Sequence, residues 1–568
     1  MVYKPKKRRG TTGSAQYLTK FFRWPIESSM IRGNKATPVL VGAAQYTQPK
    51  NAAPALDPLG LMIRVGRAAL ADAGSTGLAA LVDTVCVVNS FSRDDERAPQ
   101  ALAAALGLRP RESIYSAIGG NSPQKLVNRF ARDIAAGRRR AVLISGAEAV
   151  YALYRASRGK TTLNWPDNIT LQQLKAHNLP INFDTMLRLG CDHEKEILEA
   201  QGDEYEEPNN RIEKAYDLFL PQYMYPFFET ALRNLAGRTP EEHRLYMGRR
   251  YERLSRIASL NPYAWNRKEL SAEEISQPSS HNRFVVYPYT LRMMSNINVD
   301  QAAAVIMTGA DDAGALGIES SKWVYPMGGA ELNNIWHVTQ RPRLDDSPAI
   351  TEASRLALRQ AGLSLGDIGV FDLYSCFPSA AEISRRAIGI EENDPRDLSV
   401  TGGLAFFGGP GNNYSLHAIV SSMERIRRDR RLKAMVTANG WYNSKHAIGI
   451  YGAEPPDHPW EDKDFSAIQK AIDAAALPEP MEHADGPLTV EAYSIRYDAT
   501  GNPERVTVIG RLPNGCRALA DVQAEARELK KIEKVNLAGK TGAAKYSWLA
   551  GRNYVVFDPS LQHGISAT

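Results

Sequence analysis

Cysteine is scarce in this chain: Cys86, Cys191, Cys376 and Cys516 are the only four in 568 residues, far apart and without a CxxC pair. That spacing argues against a disulfide framework and against a structural zinc site, and it makes a reducing, cytoplasmic compartment the expectation. No apolar run approaches the roughly 18 to 20 residues that span a bilayer, and no basic-then-apolar signal peptide opens the chain, so no membrane span is expected. Charge of one sign is also missing from most of the protein. The net +6 is concentrated in residues 1–36, which carry nine Lys and Arg against Glu27, leaving the body slightly negative. The basic character therefore belongs to a tail, and a nucleic-acid partner for the body is not supported. Residues 1–36 read as a disordered extension, or in part as upstream coding sequence ahead of a start at Met30, with a targeting segment and a nucleic-acid arm as the alternatives.

What remains is an ordinary globular composition, 43% hydrophobic and 23% charged, long enough for about three or four domains. From Thr37 onward, short apolar runs alternate with helical patterns, the signature of an α/β chain. Leu61 to Ala73 predicts an amphipathic helix stopped by Gly74, and Thr84–Val88 and Ala141–Ile144 predict strands. Ser122 predicts an N-cap, with Pro123 at the first helical position and a stop at Gly137.

An internal repeat organises these elements. Ala68 to Gly74, followed by Val82-Asp83 and a β-rich run to Phe91, reappears as Leu356 to Gly362, Asp367-Ile368 and a run to Phe377. Arg140 to Gly146 reappears as Lys433 to Gly440 at nearly the same offset. Two homologous halves follow, 37–315 and 320–455, the first lengthened by a helical insertion over 151–285. A Pro-rich stretch, 456–487, reads as a linker. Residues 488–568 read as a small β-domain, in which Thr489–Tyr497 and Arg505–Leu512 alternate as strands around the turn Gly501-Asn502-Pro503. Few Lys or Arg alternate with aromatics there, contrary to a stacking platform for single-stranded nucleic acid.

Three segments could carry chemistry. Thr401 to Tyr414 holds five glycines in ten positions before an amphipathic helix, Ser415–Arg427. Such a loop lets backbone approach a ligand, and the helix N-terminus favours an oxyanion. It matches neither a P-loop nor a dinucleotide fingerprint. Asp372 to Pro378 and Ala438 to His446 sit at strand ends, where Tyr, Cys, Lys and His can serve as acid, base or nucleophile.

The halves, the opening Thr37 to Gly42, the run Ile134 to Glu148 and the Gly402–Asn412 loop resemble the thiolase superfamily. Gly119 to Gln124, Asn261 to Trp265, Tyr374 to Pro378, Gly408 to Tyr414 and Lys445-His446-Ala447 resemble its type 1 thiolase-like proteins. The resemblance implies a duplicated five-layered αβαβα fold with an additional, OB-like C-terminal β-domain. It also implies coenzyme A or acetyl-CoA as a substrate and no metal. Thiolases are commonly dimers or tetramers built on the N-terminal half, and since the insertion and the added domain can cover that surface, a monomer or homodimer is expected here.

The thiolase nucleophile, a cysteine at a helix N-terminus, falls on Gly120 and is absent. The activating histidine falls on Gly409 of Gly408-Gly409-Pro410 and is absent too. Tyr374 stands where the family has asparagine or histidine, and the second catalytic cysteine has no counterpart in Asn439–His446. An acyl-cysteine at the usual position is therefore excluded. The expectation is Claisen or retro-Claisen chemistry on a CoA thioester or β-keto substrate. The alternatives are a retro-aldolase and an inactive acyl-CoA binder. The candidate catalytic residues are Tyr374 or His446 for proton transfer, Asn412 for the enolate oxygen, and Cys376 as a relocated nucleophile. Gly120, Asn121, Ser122, Gly408, Gly409, Gly411 and Asn439 are the expected substrate and oxyanion contacts.

Overall fold

The apolar run after Thr37 forms the first strand of a sheet in a computed structural model that describes residues 36–201, 205–498 and 500–558. The basic tail, apart from Ala36, lies outside the described residues. The strands of the first half are β1 (Pro38–Thr47), β2 (Val82–Val87), β3 (Glu112–Tyr115) and β4 (Ala141–Ala149). After the insertion come β5 (Phe284–Tyr287), β6 (Tyr289–Thr290) and β7 (Asp300–Gly309). The first sheet runs β1-β7-β4-β2-β3, with β4-β2-β3 parallel and β1 and β7 antiparallel. The second half supplies β8 (Tyr325–Asn333), β9 (Val370–Asp372), β10 (Ala434–Gly440) and β11 (Lys445–Gly452), in the order β8-β11-β10-β9.

Two helices, Ser122–Ala135 and Tyr414–Arg428, pack between the sheets, burying Val127, Phe130 and Ile134 with Leu416, Ile419 and Met423. The helices Pro58–Ala73 and Ala98–Leu106 cover the outer face of the first sheet. Pro348–Ala361 and Pro378–Ile388 cover that of the second. This makes the five layers αβαβα.

The repeat is visible atom by atom. Gly74 and Gly362 both end their helices in the left-handed conformation, at φ 75° and 67°, where glycine carries no steric penalty. Gly42 of β1 faces the helix Pro58–Ala73, and a Cβ there would lie 3.2 Å from the carbonyl carbon of Ala69. Gly328 of β8 stands in the same relation to Ala357, also 3.2 Å. In each half, strand and outer helix touch backbone to backbone.

The insertion is helical, with Phe183–Gln201, Pro221–Leu235 and Pro240–Leu260 as its longest elements. Residues 456–487 are more than a linker. Trp460 is buried and donates from Nε1 to the Pro326 carbonyl at 2.7 Å, and Ser466–Asp473 is a helix. The prolines around that helix concealed it, and its apolar side packs on the second half through Ile468 and Ile472.

The C-terminal strands are β12 (Asp485–Tyr497), β13 (Pro503–Arg511), β14 (Arg517–Val522), β15 (Thr541–Ser547) and β16 (Arg552–Val556). They close in the order β12-β13-β14-β16-β15-β12, with β14 and β16 parallel. The far end of β12 also pairs with β5, so the barrel's sheet continues into the end of the insertion. Arg233 reinforces this join from its buried position, donating to the Tyr287 and Tyr493 hydroxyls at 3.0 and 2.8 Å and to Asn536 Oδ1 at 2.9 Å. Tyr216 donates to the Leu519 carbonyl at 2.8 Å.

Candidate active site

The strand ends and the glycine loop converge on a cavity of about 720 Å³, walled by Gly119, Gly120, Tyr374, Cys376, Gly409, Gly411, Asn412 and Asn439. Insertion residues, among them Phe183, Leu187 and Tyr225, close one side, and Ser295 and Asn296 contribute from the stretch before β7. Gly119 and Gly120 lead directly into the helix Ser122–Ala135. Ser122 does not cap that helix: its hydroxyl donates to the Ala117 carbonyl at 3.0 Å, and Asn121 occupies the cap position without a side-chain cap bond. The positive end of the helix is therefore left without a side-chain partner beside the cavity.

The space of the absent nucleophile is filled. A Cβ at Gly120 would lie 2.7 Å from Tyr374 Cζ, closer still to the phenol oxygen, and 2.5 Å from the Asn439 carbonyl oxygen. No hydrogen bond among the described residues uses the Tyr374 hydroxyl or the Gly120 N–H, so both are available to a ligand. The space of the absent histidine is filled likewise. A Cβ at Gly409 would lie 3.4 Å from Ser295 Cβ and closer still to its hydroxyl. Ser295 is held by its own N–H, which donates to the Cys376 carbonyl at 3.0 Å, and its hydroxyl has no protein partner among the described residues. No signal pointed to Ser295, which lies in an aperiodic stretch far in sequence from the loop it completes.

Other expected residues do different work. Asn412 accepts from the Gly119 N–H at 2.9 Å and donates its amide to Asn89, at 3.1 Å to both the carbonyl and Oδ1. Its donors are spent on Asn89 and its acceptor on the Gly119 N–H, so it does not offer the enolate hydrogen bond expected of it. Ser415 Oγ fixes the Gly120 carbonyl at 2.9 Å. Asn121, Ser122 and Gly408 lie off the cavity wall. A Cβ at Gly408 would lie 3.1 Å from Gln301 Cδ, and one at Gly411 3.0 Å from Glu148 Cδ, so these glycines serve close packing beneath the loop. Buried Glu148 accepts from Ser90 Oγ and the Phe91 and Ser92 N–H groups, and burial nonetheless pushes its carboxyl up to about 7.

His446 faces away from the cavity. Alternation along β11 turns Gly449 toward Gln124 of the central helix, and sends His446, Ile448 and Ile450 to the opposite face. There Nε2 lies 3.1 Å from the Asn443 carbonyl and 3.3 Å from Asn334 Nδ2. Burial lowers its pKa to about 3. It is a neutral structural imidazole and not a proton-transfer group.

Burial raises the Tyr374 phenol well above its ordinary value, with the neighbouring Cys376 adding to the shift, so it is protonated at neutral pH. Burial likewise pushes the Cys376 thiol up to about 12, and a thiol so protonated is a poor nucleophile.

Tyr225 was not anticipated either. Its hydroxyl donates to the Trp441 carbonyl at 3.0 Å and accepts from Asn439 Nδ2 at 2.9 Å and the Asn443 N–H at 3.0 Å. This fixes the turn between β10 and β11, in which Trp441 and Asn443 adopt φ 54° and 57°. Among the described residues, no group of three His, Cys, Asp or Glu is placed to hold a metal ion.

Comparison with known proteins fits this arrangement. The family model for the additional C-terminal domain of thiolase-like protein type 1 matches residues 467–546, beginning within the helix hidden in the expected linker. The crystal structure of a monomeric SCP2-thiolase like protein type 1 from Mycobacterium smegmatis is 30% identical. It covers 92% of this chain and all of that one, with a TM-score of 0.75. Two more distant structures share the fold. An Ltp2-ChsH2(DUF35) aldolase is 16% identical over 73% of this chain and 97% of its own (TM-score 0.52). An acetyl-CoA acetyltransferase from Syntrophomonas wolfei is 14% identical over 74% and 99% (TM-score 0.51). A curated relative, the benzoylsuccinyl-CoA thiolase subunit BbsB of Thauera aromatica, is 29% identical over 136 residues, 24% of this chain. The match spans about a third of that relative's length, 33%.

Proposed function

The chain belongs to the type 1 SCP2-thiolase-like proteins, and from that premise we propose that it makes or breaks a carbon–carbon bond beside a carbonyl on a CoA thioester or β-keto substrate, without an acyl-cysteine. The observation that carries this reading is the Tyr374 hydroxyl, lodged where the nucleophile's side chain would be and donating to no protein group among the described residues. A phenol held protonated is a proton donor. Facing a thioester or ketone oxygen, it stabilises the enolate that forms when the neighbouring bond breaks, and then returns a proton to it. The Gly120 N–H and the Ser295 hydroxyl are the further donors available to that oxygen. In the retro-Claisen direction the thiolate of CoA attacks the β-carbonyl, and the electron pair of the breaking carbon–carbon bond becomes this enolate. In the Claisen direction a thioester loses its α-proton to solvent, the enolate attacks a second thioester carbonyl and CoA leaves as thiolate. In retro-aldol cleavage the β-hydroxyl proton passes to solvent as the same enolate departs. The aldolase and the acetyltransferase named above lend the fold only. The thioester substrate in the name of the Thauera subunit supports a CoA ligand here.

A second reading, a binder of acyl-CoA without turnover, is favoured by one observation. The carboxylate on the cavity wall among the described residues, Asp184, is paired with Arg188 at 2.9 Å, leaving no evident base. Mass spectrometry of the full chain incubated with acetyl-CoA, CoA and β-keto and β-hydroxy thioesters separates the two. New acyl-CoA products, lost in Tyr374→Phe, support the catalytic reading; bound but unchanged thioester supports the second.

We read the C-terminal barrel as OB-like, from its strand order and its parallel closing pair. A monomer is supported by the description of the M. smegmatis protein. A cytoplasmic setting is supported by four unpaired thiols. No helix among the described residues is long and apolar enough to cross a membrane.

A further inference from the structure

A cavity of about 720 Å³ exceeds what an acetyl group requires and lies in the range, about 300–1,000 Å³, of sites for drug-sized ligands. One wall is continuous and apolar, built from Phe91, Ile118, Phe183, Leu187, Leu220 and Trp441. Phe91 and Phe183 meet edge to face with ring centroids 5.3 Å apart. Gly190 lets the helix Phe183–Gln201 settle onto this surface: a Cβ there would lie 3.3 Å from Ile118 and 3.5 Å from Phe91. Trp441 completes the wall from a left-handed backbone, φ 54°, which costs a bulky residue about 1–3 kcal/mol and persists only where the surroundings enforce it. The Tyr225 hydroxyl, bonded to both sides of that turn, is the enforcement.

The chemistry of this wall is selective. The pantetheine arm of CoA carries two amides that need hydrogen-bond partners, and the wall offers none beyond the indole N–H. The cations on the cavity, Arg283 and Arg292, come from a different segment. Asp184 beside the wall is paired with Arg188 at 2.9 Å, so the wall would bury the end of an acyl chain terminating in carboxylate without a free cation to pair it.

We propose that the acyl group taken by this site is a bulky, uncharged hydrocarbon group, aromatic or branched, seated on the wall of Phe91, Phe183, Leu187 and Trp441 with its carbonyl oxygen at Tyr374. This assignment rests on the thioester-binding reading of the site. Binding of CoA, acetyl-CoA, succinyl-CoA and phenylacetyl-CoA to the full chain, measured by isothermal calorimetry, tests it. Phenylacetyl-CoA is expected to bind at least about tenfold tighter than acetyl-CoA, and succinyl-CoA weakest of the three thioesters. Trp441→Gly removes the indole while suiting the left-handed backbone, and Leu187→Trp fills the cavity. In either variant the preference for phenylacetyl over acetyl should collapse toward unity. Equal affinity for acetyl-CoA and phenylacetyl-CoA in the parent protein would overturn the proposal while leaving the thioester reading intact. Failure of every thioester to bind more tightly than CoA itself would overturn both.

Discussion

The Tyr374 hydroxyl occupies the volume that a Cβ on Gly120 would need: any side chain at position 120 would enter the phenol, with Cζ only 2.7 Å from its Cβ. The missing cysteine and the tyrosine are thus two sides of one change. Restoring a nucleophile by Gly120→Cys alone cannot rebuild a thiolase, because the new Sγ has no space.

Gly120→Ala is therefore expected to destabilise the protein by about 3 kcal/mol and to weaken ligand binding. Tyr374→Ala in that background should recover part of the loss. The recovery is partial because the Asn439 carbonyl, 2.5 Å from the same Cβ, belongs to the backbone and stays. A double-mutant cycle by denaturant unfolding measures the coupling, and strict additivity would contradict the shared volume.

Tyr374→Phe should lower turnover by about 100-fold or more while changing thioester affinity far less. Because burial holds the phenol well above its ordinary value, the parent's rate should show no fall between pH 6 and 9 attributable to this group. A Tyr374-dependent loss of rate on raising the pH within that range would count against a proton-donor role.

Tyr225→Phe leaves the buried Asn439 amide and Asn443 N–H without their acceptor and the Trp441 carbonyl without its donor. A loss of about 3 kcal/mol is expected. Trp441 fluorescence should also shift as the turn relaxes, which a loss confined to the distant core would not produce.

His417 is wholly buried and its pKa is lowered to about 3, with Nδ1 3.1 Å from Gln45 Oε1. Between pH 6.5 and 3 the unfolded chain binds a proton there that the folded chain refuses. Stability is therefore full above pH 6.5 and drains as pH falls through that window, by about 5 kcal/mol in all. His417→Phe should flatten the stability profile measured by thermal unfolding between pH 6.5 and 4. An unchanged slope would assign the acid sensitivity to other groups, His446 first.

The fold was legible because its repeat is written in positions with strict backbone demands. Gly74 and Gly362 mark the same left-handed helix end in each half. Gly120 and Gly409 were readable as absences, since the resemblance specifies what belongs there. What fills them was not readable, because Tyr374 and Ser295 arrive from remote strands and no local pattern announces where a phenol or hydroxyl will point. His446 misled for the opposite reason. Its chemistry suited the role, but a shift of one position along β11 reverses the face, and turn geometry rather than composition decides that parity. The helix Ser466–Asp473 was masked by surrounding prolines, which lie outside it and do not interrupt it.

The continuation of β12 into β5 makes the last hundred residues indispensable to the rest. A chain ending after β11 would expose the edge of β5, strip Arg233 of Tyr493 and Asn536, and leave a nearly fully buried guanidinium short of partners. Frameshifts or stop codons late in the gene should therefore remove the whole protein through proteolysis, rather than yield a shortened but working core. Limited digestion of the intact chain should likewise find no stable fragment that lacks the barrel.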